Sequence, residues 1–133
     1  MYSFRKSKKG FTLIELMVVV AIIGVLALLG LRVYSGQQEK AKIALVKANV
    51  GTVQVQIQTE LTDREVSDVD GDLAAIINST HIFNPYDGTQ QTGNGTENTK
   101  GEVYAVESGD VFYVSGYNVK GTSVYDIPLE ARK

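Results

Sequence analysis

Few residues in this sequence have the type and spacing to do chemistry. Glu15 is the single carboxylate inside an otherwise unbroken apolar run, KGFTLIELMVVVAIIGVLALLG, residues 9–30. A charge at the centre of a membrane helix costs about 2.5 to 3.5 kcal/mol on insertion scales, so an acid in such a run calls for a partner. Asp68, Asp70 and Asp72 in DVDGD alternate like the start of a calcium loop. Gly71 comes too early for that loop, however, and Ser79 stands where an EF-hand needs a bidentate glutamate. The expectation is a solvated acidic connection, with no metal site assigned. His81 is the only histidine and cysteine is absent. That composition excludes a disulfide framework, a thiol nucleophile and a thiolate or histidine-rich zinc site. With no nucleophile or base placed beside it, His81 reads as a packed or capping residue, and no catalytic residue and no cofactor are assigned. Tyr104, Phe112, Tyr113, Tyr117 and Tyr125 interleave with valines as sheet residues do. Asn78-Ser-Thr and Asn94-Gly-Thr match the acceptor pattern for N-glycosylation.

The elements that must position these residues follow from periodicity. The run from Phe11 to Leu31 would span about 31 Å as a helix, close to the hydrocarbon thickness of a bilayer. A secretory signal shares the order of basic then apolar residues, but its apolar part is usually about 7 to 15 residues long. Arg5, Lys6, Lys8 and Lys9 precede the run with no acid among them, which places that end in the cytoplasm. The rest of the chain is acidic, and net charge is −2, so composition offers no footprint for nucleic acid. Small residues recur at Ala21, Gly24, Ala27 and Gly30, which suits close packing among helices of the same kind. Tyr34 falls where an interfacial aromatic belongs.

Beyond the run, Ile43, Val46, Val50, Val53, Ile57 and Leu61 form one face of an amphipathic helix. No proline interrupts Phe11 to Leu61, so one helix of about 50 residues is expected, with Gly51 its weakest interior point. TDREVSDVDGD reads as a polar connection and LAAIINS as a short helix. Residues 84–101, rich in Gly, Thr, Asn and Gln, read as a long exposed loop that can vary without harming a core. EVYAVES, DVFYVSGY and TSVYDI read as three strands joined by turns at Ser108–Asp110 and Asn118–Gly121. Such a meander could cover the helix stripe with one apolar face. The fold class expected is α+β, a long N-terminal helix packed on a small antiparallel sheet.

The N-terminal residues also carry a resemblance. KGFTLIELMVVVAIIGVLA resembles the signature of type IV prepilins and the related pseudopilins: a short basic leader ending in Gly10, then Phe11, then a glutamate four residues later. The resemblance implies a leader at 1–10, a membrane-spanning and filament-core helix at 11–34, and a head at 35–133 that includes the second half of the helix. It implies cleavage after Gly10 by a prepilin peptidase, N-methylation of Phe11, and Glu15 as the assembly glutamate. The implied partners are further copies in a helical filament, an assembly platform and its ATPase, and the cytoplasmic membrane before assembly. The implied destination is an extracellular pilus, with adhesion or motility as its roles. Where many members carry a proline after the apolar run this chain has Arg32, so that proline's kink is not carried over.

Physical chemistry supplies a reason for the same residues. Cleavage before Phe11 would create an α-amine, a cation near neutral pH, within reach of Glu15 on its own helix or on a staggered neighbour. A carboxyl held neutral or snorkelling to the interface is the competing account of Glu15. The function expected is a structural subunit of a surface filament, not an enzyme. Its alternatives are a pseudopilin of a secretion or DNA-uptake machine, and a membrane-tethered binding module.

Overall fold

The computed structural model describes residues 10–133. The basic residues of the expected leader, Arg5 to Lys9, lie outside the described residues. Helices α1 (Leu13–Asp63), α2 (Val66–Gly71) and α3 (Leu73–Ser79) are followed by strands β1 (Val103–Ser108), β2 (Val111–Gly116) and β3 (Leu129–Arg132). This is the expected α+β arrangement. The chain divides into two compact units between Gln37 and Gln38.

In the first unit, α1 runs unbroken past Gly24, Gly30, Arg32 and Gly36, and every residue from 10 to 37 is exposed. A Cβ added at Gly24, Gly30 or Gly36 would meet nothing within 4 Å. The helix is long and apolar enough to cross a membrane. Because its apolar residues lie all round rather than in a stripe, no single face of it is suited to cover by one sheet.

The second unit is built on the stripe of α1. Val46, Val50, Val53, Ile57 and Leu61 are fully buried, and Ile43 at the head of the stripe is half-buried. They share one core with Val69, Leu73, Ile76 and Ile77 of the short helices and with Val103, Ala105, Phe112, Val114 and Ala131 of the sheet. Burying each aliphatic side chain of this kind stabilises by about 1.5 to 3 kcal/mol. The sheet is antiparallel in the order β1-β2-β3. Its first hairpin closes through Gly109 and Asp110, both with positive φ (63° and 64°), the two-residue turn whose twist matches that of the strands. At Gly116, β2 approaches α1 so closely that a Cβ would lie 2.5 Å from Val46 Cγ1 and 2.6 Å from Val50 Cγ2.

Three sequence expectations need correction. TSVYDI is not the third strand. After the turn at Asn118–Gly121, pairing stops at a single bridge between Tyr117 and Ser123. The Ser123 hydroxyl donates to the Tyr125 carbonyl and accepts from the Tyr125 N–H, a local alternative to a ladder. Pro128 then has no N–H to donate, and Ile127 is 76% exposed. The third strand is LEAR at Leu129–Arg132, held against α1 by Gln54 and Gln58, whose amides donate to the carbonyls of Glu130 (2.9 Å) and Arg132 (2.7 Å). The acidic connection also contains a helix, α2, because Val69 is drawn into the core while Asp68 and Asp70 stay outside. Finally, the loop at 84–101 is not a free surface loop. Gln91 and Asn94 bond the backbone of β1, and Asn84 is buried, donating from Nδ2 to the carbonyl of Lys100 at 2.9 Å.

Candidate functional site

Gly10, Phe11 and Glu15 lie within six residues of sequence at the start of α1. Gly10 and Phe11 precede the helix in irregular backbone, and Phe11 is 90% exposed. The Gly10–Phe11 peptide bond is therefore outside helical hydrogen bonding. Thr12 ends the irregular segment as the N-cap: its Oγ1 accepts the N–H of Glu15 at 3.2 Å, and its carbonyl accepts the N–H of Leu16 at 3.2 Å. Thr12-Leu-Ile-Glu15 has the residues of a capping box, in which a hydroxyl satisfies one orphan N–H of the first turn. The sequence reading singled out Glu15 but missed Thr12, although the T-x-x-E spacing ahead of an apolar run was the signal.

Glu15 thus stands in the first turn of α1, where the exposed N–H groups leave a partial positive charge that favours a carboxylate. Its side chain is exposed, and among the described residues it has no ion-pair partner. Immediately beyond it the apolar surface begins: Leu16, Met17, Val18, Val19, Val20, Ile22 and Ile23 are all more than half exposed. The first turn of α1 thus sets an exposed carboxylate at the edge of an uncovered apolar cylinder.

The other residues singled out from sequence fall elsewhere and do not converge on a site. Asp72 pairs with the Arg64 guanidinium, which also reaches Glu60 at 3.2 Å and so ties the start of α3 to the end of α1. These two carboxylates hold Arg64 above its ordinary pKa. Asp68 and Asp70 are exposed on α2, and no group of three acid or imidazole side chains able to hold a metal occurs among the described residues. The C-cap of α3 is Thr80, and His81 follows it, exposed, with φ of 53° and its Nδ1 2.8 Å from the Ser79 carbonyl, so it is not a packed residue. Phe112 and Tyr117 are buried, Tyr104 and Tyr113 are half-buried on the strands, and Tyr125 lies outside any strand.

One aromatic cluster was not legible in the sequence. Tyr86 donates its hydroxyl to Glu39 at 2.7 Å, with the ammonium groups of Lys42 and Lys100 5.3 and 5.2 Å from its ring. Burial, then the hydrogen bond and charge of Glu39, push the phenol up to about 12. Nothing in the spacing of Glu39 and Tyr86, distant in sequence, could have paired them.

Comparison with known proteins adds to this geometry. A family model described as the prokaryotic N-terminal methylation motif matches residues 5–31. The fimbrial protein EcpB of Eikenella corrodens is 41% identical over 63 residues, 47% of this chain and 40% of that protein. A type IV major fimbrial protein FimA of Dichelobacter nodosus is 41% identical over 61 residues, 46% of this chain and 38% of its own length. Against these two the chain spans about two fifths of the relative's length. Another FimA of the same organism is 31% identical over 122 residues, 84% of this chain and 73% of that protein. No solved structure matches the chain.

Proposed function

The chain belongs to the type IV fimbrial proteins, the type IV pilins, and from that membership we propose that it is a structural subunit of a pilus-like surface filament. The observation that carries this reading is the uncovered apolar length of α1, headed by the Thr12 cap and Glu15, since a surface of that kind calls for lipid or identical helices around it. In this reading residues 1–10 are a leader, 11–34 a membrane-spanning and filament-core helix, and 35–133 the head. The precursor sits in the cytoplasmic membrane with its basic end inside. A prepilin peptidase cuts the Gly10–Phe11 bond, the new amine at Phe11 is methylated, and an ATPase-driven platform moves the subunit from lipid into the filament.

Glu15 gives assembly its register. In lipid the carboxylate of a lone subunit has only its own cap and its own amine for company, whereas in a stack the amine of a neighbour can meet it. Both environments are apolar, so moving the helix between them changes little hydrophobic free energy, and a charge pair can decide the direction.

The test combines electron microscopy of cells with and without this chain and mass spectrometry of sheared fibres. Long fibres lost with the chain, and subunits beginning at methylated Phe11, are the expected result. Loss of secretion or DNA uptake without fibres would make it a pseudopilin. A chain retained in the membrane as an unprocessed monomer would overturn the filament reading.

A further inference from the structure

The outer edge of β1 would be open to pairing, but the segment before it closes that edge with side chains. Gln91 Nε2 donates to the Val103 carbonyl at 2.7 Å, and Gln91 Oε1 accepts the Val103 N–H at 2.9 Å. Asn94 repeats the pattern one step along: Nδ2 donates to the Ala105 carbonyl at 2.7 Å, and Oδ1 accepts the Ala105 N–H at 2.8 Å. Each primary amide stands in for a peptide group of a missing neighbour strand. The next residue is glycine for a separate reason. The Gly95 N–H donates to the Val103 carbonyl at 3.0 Å, and a Cβ there would lie 2.5 Å from the same oxygen. The fold therefore asks for asparagine followed directly by glycine, the dipeptide in which the following backbone nitrogen most readily reaches the side-chain carbonyl. It is the only Asn-Gly pair in the chain.

We propose that Asn94 is a site of spontaneous deamidation, gated by the closure of the β1 edge. In the reaction the Gly95 nitrogen attacks Cγ of Asn94 and gives up its proton. The Cγ–Nδ2 bond breaks, the nitrogen leaves as ammonia, and a succinimide ring remains. Water opens the ring at either carbonyl to give aspartate or isoaspartate, so the net change is amide plus water to acid plus ammonia, with no redox partner. In the closed edge every group the step needs is occupied: the nucleophile by Val103, the leaving amide and its carbonyl by Ala105. Reaction requires the segment to lift from the sheet first. Breaking three hydrogen bonds is enough to hold the folded rate about tenfold or more below that of the denatured chain. The product cannot close the edge again in the same way. A carboxylate at 94 can accept from the Ala105 N–H but has no donor for the Ala105 carbonyl, which it faces oxygen to oxygen. The change is irreversible, adds a negative charge to the head, and leaves half of the Ala105 peptide pairing open to another strand.

The experiment follows the full chain, extracted in detergent, at neutral pH with and without guanidinium chloride. Peptide mapping by mass spectrometry reads conversion at each asparagine, and the near-ultraviolet signal of the tyrosines reports that the undenatured sample stays folded. The expected result is conversion at Asn94 ahead of Asn78 and Asn98 in denaturant, and conversion at least about tenfold slower in the fold. Gln91→Ala, which loosens the segment without touching the reacting pair, should raise the folded rate toward the denatured one. Asn94→Asp should speed amide exchange at Ala105. Equal rates in folded and denatured wild type would overturn the gating, and this comparison needs no variant. Unchanged exchange at Ala105 in Asn94→Asp would overturn the opening of the edge.

Discussion

Glu15 is held at two levels, and separating them is the most informative experiment on a single residue. Its backbone N–H belongs to the Thr12 cap, while its exposed carboxylate has no ion-pair partner among the described residues. Glu15→Gln retains the N–H and the side-chain length and removes only the charge. We expect normal insertion and head folding, with filament yield reduced and restored when wild type is coexpressed. Comparing processed subunit in the membrane with sheared filament reads this out, and normal yield from the pure variant would show that the charge does not drive assembly. A second residue-scale prediction concerns Tyr86. Burial first, then the hydrogen bond and charge of Glu39, push its phenol up to about 12 from an ordinary value of 10. A raised value means that the unfolded chain loses its proton first. The stability contribution is fully present below pH 10 and is lost as pH rises through about 12. Denaturation curves across that window should show a loss that Tyr86→Phe lessens; an identical loss in the variant would assign it to other groups.

Among the elements, α1 and β2 meet at Gly116 with no room for added volume. Gly116→Ala would put a methyl group 2.5 Å from Val46 Cγ1, against a helix that cannot retreat without opening the core. Overpacking of this kind costs about 1 to 3 kcal/mol. Removing volume at the centre of the stripe should cost more: Ile57 is fully buried, and Ile57→Ala should lose about 2 to 5 kcal/mol. Chemical denaturation of the three proteins would check both, and a loss near zero for Ile57→Ala would mean that the stripe does not hold the sheet. The strand β3 shows why an element can be invisible in sequence. Leu, Glu, Ala and Arg are all good helix formers, so LEAR carries no strand signal of its own. It becomes a strand because β2 offers a free ladder edge and Ala131 a buried contact, and because Gln54 and Gln58 receive its backbone.

For the whole molecule, the two units predict different behaviour on truncation. Among the described residues the second unit holds all of the buried core, so a chain starting near residue 35 should be soluble and folded, with a cooperative thermal transition by circular dichroism. Aggregation of that truncation would mean that the head depends on the apolar half of α1. Deleting residues 87–100 should destabilise the head, because Gln91 and Asn94 would be lost from the β1 edge. A transition temperature equal to that of the intact head would show that the edge does not need its cover.

The sequence by itself determined the N-terminal signature, the apolar length of α1, the continuous helix through Arg32, the buried stripe from Val46 to Leu61, the helix at Leu73–Ser79 and the first hairpin. All of these rest on neighbours in the chain: a period, a turn, an unbroken apolar run. What only the tertiary structure decided lies in contacts between residues far apart in sequence. The spacing of Gln91 and Asn94 says nothing of Val103 and Ala105, the residue types of LEAR favour the opposite structure, and Glu39 and Tyr86 meet only because the fold brings the loop to the helix. The common reason is that a buried or edge-strand peptide group must find a partner, and which side chain serves is set by where the chain passes in space rather than by its local pattern.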